Sequence, residues 1–179
     1  MKWNVLSSEY ICRHPFFTAR KDKCEKPDGK IVDAYYVVEL PETACALPIT
    51  EEGDVVLIKQ YRHPVGEVIL ELPGGFIDGK ETAETAMQRE LMEETGYHFP
   101  DIKKVGNIAA NPGVLSNYTG LFLARGGKIT GVQNLDHNEE IEVVTMPFDQ
   151  LKEMFLQNKI PQALHAACIF YALREMGEL

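Results

Sequence analysis

The chain has 179 residues, of which 45% are apolar and 25% charged, a globular composition that excludes disorder, collagen-like repeats and a disulfide miniprotein. That length suits one compact domain with a small extension, burying roughly 70% of its extended surface on folding. Eighteen Lys and Arg against 27 Asp and Glu leave a net charge of −9, which argues against a nucleic-acid partner and requires something positive beside any anionic ligand.

The elements run in the following order. Phe16–Arg20 and Ile31–Val38 read as the arms of a hairpin around the turn signal Pro27-Asp28-Gly29. Strands are predicted at Ala44–Ile49, Val55–Gln60 and Val68–Leu72, and the unbroken run Val55-Val56-Leu57-Ile58 fits a strand buried on both faces. A glycine-rich loop, Pro73–Lys80, leads into a helix with Thr82 as N-cap, Glu84 at the positive end of the dipole and Gly96 as the stop. Strands follow around Val105–Ala110, Tyr118–Ala124 and Ile141–Met146, the last two separated by the Gly-rich stretch Gly126–Gly131. Helices close the chain at Phe148–Gln157 and Ala163–Met176, with Pro161 between them. Strands with helices between and after them give an α/β (α+β) fold, a mixed sheet packed by helices. Cys12, Cys24, Cys45 and Cys168 are scattered without metal-site spacing, so reduced thiols are expected. The start of the chain lacks a signal-peptide pattern and no apolar run approaches ~20 residues, so the expectation is a cytoplasmic protein away from membranes.

The central helix carries the chemistry. Ala83, Ala86, Met87 and Leu91 mark its core-facing stripe, and the same three- and four-residue steps reach Glu90 and Glu94, with Glu93 at the edge. Three carboxylates on an inward face are costly, since like charges 4 Å apart repel by about 4 kcal/mol at an effective dielectric near 20. Arg89 is one available counter-charge but cannot balance three acids. Hard oxygen ligands with open positions suit Mg²⁺ or Mn²⁺, and Gly74 and Gly75 allow close backbone approach to a ligand. The competing reading is a solvated acidic helix face.

Together these residues read Gly75-x5-Glu81-x7-Arg89-Glu90-Leu91-x-Glu93-Glu94-x-Gly96-Tyr97, which resembles a complete Nudix box. Gln60-Tyr61-Arg62, Glu71-Leu72-Pro73-Gly74-Gly75 and Asn111-Pro112-Gly113 are similar to landmarks of the branch that hydrolyses ADP-ribose and other nucleoside diphosphate sugars. The resemblance implies an α/β/α sandwich over residues 43–179 and an N-terminal β-hairpin extension over 1–42 that serves as a dimerisation element in a homodimer. It implies a divalent metal, Mg²⁺ with Mn²⁺ as substitute, held by Glu90, Glu94, Glu93 and the Gly74 carbonyl. Arg89 would orient the glutamates, Glu81 would be an outer acid, and Arg62, Gly75 and Pro112 would contact substrate. The implied general base lies on the acidic loop Asp136–Glu140, with Glu139 favoured over Glu140 and His137. The rings of Phe17, Tyr35 and Tyr36 are candidates for stacking on a nucleobase across a dimer, the competing reading being that they belong to the core. The segment Ile31–Tyr35 lacks the arginine common in ADP-ribose enzymes, which leaves room for other nucleotide sugars. Two alternatives stay open: a silent Nudix-like sensing or partner-binding module, and an enzyme acting on nucleoside triphosphates or dinucleoside polyphosphates.

Overall fold

In the computed structural model, which describes residues 1–137 and 139–179, the chain forms two units: Met1–Glu42 with Ala109–Tyr118, and Thr43–Ile108 with Thr119–Leu179. The first unit is an antiparallel sheet of β1 (Asn4–Cys12), β2 (Thr18–Glu25) and β3 (Ile31–Glu39), in that order. The predicted turn closes the β2–β3 hairpin, with Gly29 at φ 78 and its N–H donating to the Lys26 carbonyl at 2.9 Å. Strand β2 runs further than its apolar start suggests, through Arg20-Lys21-Asp22-Lys23, where Asp22 is buried and accepts from Arg20 Nε at 3.0 Å. Strand β1 has no counterpart among the predicted elements. All nine of its residues are exposed, so it has no buried face to impose an alternating pattern. Segment 109–118 is tied to β3: Val38 N–H donates to the Val114 carbonyl at 2.8 Å and the Tyr35 hydroxyl to the Gly113 carbonyl at 3.0 Å.

The second unit is a mixed eight-stranded sheet. Its strands are β4 (Thr43–Thr50), β5 (Asp54–Arg62), β6 (Glu67–Glu71), β7 (Gly74–Phe76), β8 (Tyr97–His98), β9 (Asp101–Ile108), β10 (Thr119–Ile129) and β11 (Ile141–Pro147). They run in the order β11-β5-β4-β10-β8, with β6 on β5, β7 on β4 and β9 on β10. The β4–β10 pairing is parallel and the others antiparallel.

Alternation along the central strands separates two cores. Cys45, Leu47 and Ile49 of β4, with Leu121 and Leu123 of β10, pack beside Leu151 of α2 (Phe148–Leu156) and Cys168, Ile169, Ala172 and Leu173 of α3 (Ala163–Met176). Ala44, Ala46, Phe122 and Ala124 face the other way, onto Met87 and Leu91 of α1 (Ala83–Thr95). Each strand residue therefore buries against one helix layer or the other, and the expected sandwich follows. Val55, Val56, Leu57 and Ile58 are all buried, as their unbroken run predicts. Strand β10 continues to Ile129, through glycines that read as a separator in the sequence. The four thiols are free, with Cys12 exposed and the others buried. No helix among the described residues is long and apolar enough to cross a membrane.

Candidate active site

The loop into α1 is shaped by close approach of backbone to backbone. A Cβ on Gly74 would stand 2.2 Å from the Ala44 carbonyl oxygen, so β7 can press against β4 only with glycine there. A Cβ on Gly75 would lie 2.6 Å from the carboxyl atoms of Glu90, so that carboxylate rests on the glycine's bare face. Helix α1 is fixed at both ends as predicted. The Thr82 hydroxyl accepts from Thr85 N–H at 3.2 Å, and Gly96, at φ 74, donates to the Met92 carbonyl at 2.9 Å.

These caps set the helix's rotation, and the acids fall where the apolar stripe places them. Glu94 is buried at 5% exposure, and Glu90 and Glu93 are half-buried. Arg89 organises the group. Its Nη1 donates to Glu90 at 2.8 Å and Glu93 at 2.9 Å, and its Nη2 donates to Glu81 at 2.7 Å and to the Phe76 carbonyl at 3.0 Å. Those partners push the guanidinium pKa further above its ordinary value, hydrogen bonding to Glu81 contributing most, and Arg89 in turn holds Glu81 below the usual carboxylate range. Glu94 is left outside this fork and accepts instead from Gly74 N–H at 2.8 Å. Burial drives its pKa to about 8 against the pull of that N–H, with Glu90 and Glu139 adding repulsion. Burial likewise carries Glu90 to about 7, against Arg89, with Glu93 and Glu139 adding to it.

Glu139 therefore stands close enough to act on both box acids, whereas Glu140 is exposed. Its carboxylate accepts from Asp136 N–H at 3.0 Å. Asn138, within the predicted acidic loop, lies outside the described residues. The approach to this loop is pinned to α1. Gln133 Nε2 donates to the Glu94 carbonyl at 2.7 Å and to the Ile141 carbonyl at 3.2 Å, and Asn134 N–H donates to the Glu93 carbonyl at 2.9 Å.

Among the described residues no three His, Cys, Asp or Glu side chains converge on one point at ligand distance. The reason is visible in the bonds: Arg89 draws Glu90 and Glu93, and Gly74 N–H draws Glu94. The donor set itself fits a hard divalent cation. It is all oxygen and partly desolvated, and burial raises the pKa of Glu90 and Glu94, with neighbouring carboxylates adding to the rise.

Arg62, at the end of β5, is held by Glu71, which the sequence reading named only within a motif and without a role. Its Nε and Nη2 both donate to Glu71 at 2.8 Å, and Glu71 is buried with its pKa raised, burial outweighing Arg62. An acid amid Val68-Ile69-Leu70 and Leu72 was the available signal. Beside Gly74 and Gly75 opens a cavity of about 220 Å³, also lined by Thr43, Arg62, Thr119, Gln162 and His165. His165, which the sequence reading missed, is signalled by its place on the apolar face of α3 with Cys168, Ile169 and Ala172. Its Nδ1 accepts from Leu72 N–H at 3.2 Å, and burial lowers its pKa to about 3, with the Arg62 charge assisting. Pro112 is exposed in the segment that belongs to the N-terminal unit.

A loop-helix-loop that packs three glutamates under a glycine turn is the arrangement of a Nudix site, and the comparisons agree. The Nudix domain model matches residues 39–166, and the model of the nucleoside diphosphate sugar hydrolase N-terminal domain matches residues 3–38. The chain belongs to the Nudix hydrolase family, whose members generally need a divalent metal. It is 29% identical to the ADP-ribose pyrophosphatase of Bacillus subtilis over 172 residues, 93% of this chain and 92% of that one. It is 35% identical to the ADP-sugar pyrophosphatase of Mus musculus over 129 residues, 69% of this chain and 56% of that one. A crystal structure of an ADP compounds hydrolase shares the fold at a TM-score of 0.85 and 22% identity, covering 100% of this chain and 98% of that one.

Proposed function

We propose that the chain hydrolyses the diphosphate linkage of nucleoside diphosphate sugars, ADP-ribose or a close relative, to a nucleoside monophosphate and a sugar phosphate. The observation that carries this reading is the crowding of Glu90, Glu93, Glu94 and Glu139 against one loop with Arg89 as their organising cation. Glu90, Glu93, Glu94 and the Gly74 carbonyl would hold Mg²⁺, with Mn²⁺ as a substitute. When bound, the metal offsets the charge of the diphosphate and lowers the pKa of water.

The chain's own groups do the rest. Arg89 fixes the orientation of Glu90 and Glu93 through a planar fork. Arg62, steadied by Glu71 through two of its nitrogens, keeps Nη1 for a phosphate oxygen of the substrate. Glu139 takes the proton of the attacking water, a contribution of ~10²–10⁴-fold. Gly75 supplies the bare surface that lets a phosphate and Glu90 meet. Pro112 belongs to the substrate-contacting set through its motif.

In this reading the protein is cytoplasmic, with neither nucleic acid nor membrane as a partner. It is a homodimer that pairs through residues 1–42, with residues 43–179 as the catalytic domain. The wholly exposed β1, carrying Val5, Leu6, Tyr10 and Ile11, supports such pairing. The test is chromatographic detection of products from a panel of nucleotide sugars and nucleoside triphosphates, with no coupling enzyme. Nucleotide sugars should yield a nucleoside monophosphate and a sugar phosphate only with Mg²⁺, and EDTA should stop their formation. Turnover of triphosphates alone, or none of any substrate, would sink the reading.

A further inference from the structure

His165 is buried, yet no role in the hydrolysis above uses it. Its Nδ1 is occupied as an acceptor from Leu72 N–H, which places the ring's proton on Nε2. Among the described residues Nε2 has no hydrogen-bond partner. It is also not sealed away, since the one fully enclosed unpartnered side-chain polar atom among the described residues is Asn117 Oδ1. His165 borders a void of about 10 Å³, no larger than a single water, lined by Glu71 and apolar side chains. It also lines the 220 Å³ cavity beside Gly74 and Gly75.

That cavity is furnished with neutral polar groups. The Thr43 and Thr119 hydroxyls pair at 2.7 Å, and each keeps further hydrogen-bonding capacity. The Gln162 carbonyl oxygen caps Leu164 N–H at 2.6 Å, which leaves its amide NH₂ to donate. Arg62 also lines the space, and no carboxylate does among the described residues. At about 220 Å³ it is smaller than the ~300–1,000 Å³ of common small-molecule sites, a size for a single hydroxylated ring rather than a whole nucleotide. Apart from the His165 imidazole, Phe76 is the one aromatic ring in the described lining, against small side chains such as Ala44 and Cys45, whereas a nucleobase is served best by flat faces on both sides.

We infer that this cavity is a subsite for the sugar of the phospho-sugar half of the substrate, with His165 Nε2–H donating to a sugar oxygen. The choice of a sugar rests on the proposed hydrolysis of nucleotide sugars. The imidazole is suited to the task because it presents a fixed N–H without a charge. Desolvation and the nearby Arg62 both disfavour imidazolium, so the donor persists across the working pH range. His165 would thus discriminate among X groups without touching the reacting phosphorus.

The test measures binding of two products separately, in Mg²⁺ and without turnover. Calorimetry compares ribose 5-phosphate and AMP on the wild type, His165→Asn and His165→Gln. Asparagine can still accept from Leu72 but has nothing at the Nε2 position, whereas glutamine reaches that position with an NH₂. Loss of one hydrogen bond should weaken ribose 5-phosphate about tenfold in the asparagine variant, leave AMP unchanged, and be largely restored by glutamine. A second readout needs no substitution. In ¹⁵N-histidine-labelled wild type, ribose 5-phosphate should shift the Nε2 resonance of His165 and AMP should not. An unmoved resonance, or equal weakening of both ligands, overturns the subsite, and weakening of AMP alone assigns the cavity to the nucleoside half instead. If nucleotide sugars are not turned over while ribose 5-phosphate still moves His165, the functional reading fails and the subsite stands. Turnover with no such shift does the reverse.

Discussion

Removing the charge of Glu94 should make the metal-free protein more stable while abolishing its activity. Glu94 is 5% exposed, and burial raises its pKa from 4.5 to about 8. A carboxyl that holds its proton more tightly folded than unfolded costs stability as pH rises from 4.5 through 8. With those two values, Glu94→Gln gains on the order of 3 kcal/mol at pH 7 and under ~1 kcal/mol at pH 5. An amide oxygen still serves Gly74 N–H, which now accompanies the carboxylate at 2.8 Å. For a chain of this size ~3 kcal/mol corresponds to ~6–12 °C in Tm. The assay is thermal unfolding of both proteins in EDTA at pH 5 and pH 7, repeated with Mg²⁺. The ion should raise the wild type's Tm by mass action and move the variant far less. A variant no more stable than wild type at pH 7, or a gain equal at both pH values, refutes the account of Glu94 as an uncompensated buried charge.

Gly75→Ala should fold but lose most of its turnover, because the new Cβ displaces the movable Glu90 carboxylate, whereas Gly74→Ala should unfold the loop against the immovable Ala44 carbonyl. Melting curves set beside activity separate the two. Arg89→Lys keeps the charge but loses the fork that reaches Glu81, Glu90 and Glu93 together. It should lower kcat on the order of 10–100-fold, as losses of ligand-orienting partners do, and an unchanged kcat would count against the orienting role. His165, whose pKa falls from 6.5 to about 3 on folding, stays neutral while the unfolded chain takes up a proton. Its contribution is complete above pH 6.5 and is lost as pH falls towards 3, ~2 kcal/mol by pH 5. Because Glu94 acts in the opposite sense, the measurement is the difference in urea-unfolding stability between wild type and His165→Asn, which should narrow by ~1.6 kcal/mol from pH 6.5 to 5.

Much of the second unit was legible because its strands alternate between two helix layers and its helices are capped by their own sequence. Thr82, Gly96 and the Met87–Leu91 stripe place α1 to the residue, and with it Glu90 and Glu94. The glycine loop was legible in kind, but the pressing of β7 against β4 through Gly74 was not, since strand pairing at that distance is not written locally. The same limit hid what Glu71 and His165 do. Each looks like a misplaced polar residue until β5, β6 and α3 bring Arg62 and Leu72 to it. Strand β1 was invisible for the opposite reason, having no buried face. Its pairing with β2 rests on backbone bonds and one cross-strand ion pair, Glu9 with Lys21, neither of which leaves an apolar pattern.

The electrostatics of the site explain how a chain at −9 can handle a diphosphate. Glu81, Glu90 and Glu93 share Arg89, Glu94 and Glu139 lie near them, and the neighbouring Arg62 is already paired with Glu71, so with six carboxylates and two arginines full ionisation leaves 2 − 6 = −4. Without further cations the fold answers by holding protons, and the elevated values at Glu90 and Glu94 come first from burial and then from their acidic neighbours. Proton retention and cation binding are thus alternative solutions to the same deficit, and they compete for the same oxygens. Arg89 cannot remove that deficit, because its donors are spent on Glu81, Glu90, Glu93 and the Phe76 carbonyl and none reaches Glu94. The acid that is deepest and least compensated is therefore the one bonded to the loop that would carry the substrate's phosphates. Divalent charge placed there serves the protein's acids and the ligand's at once.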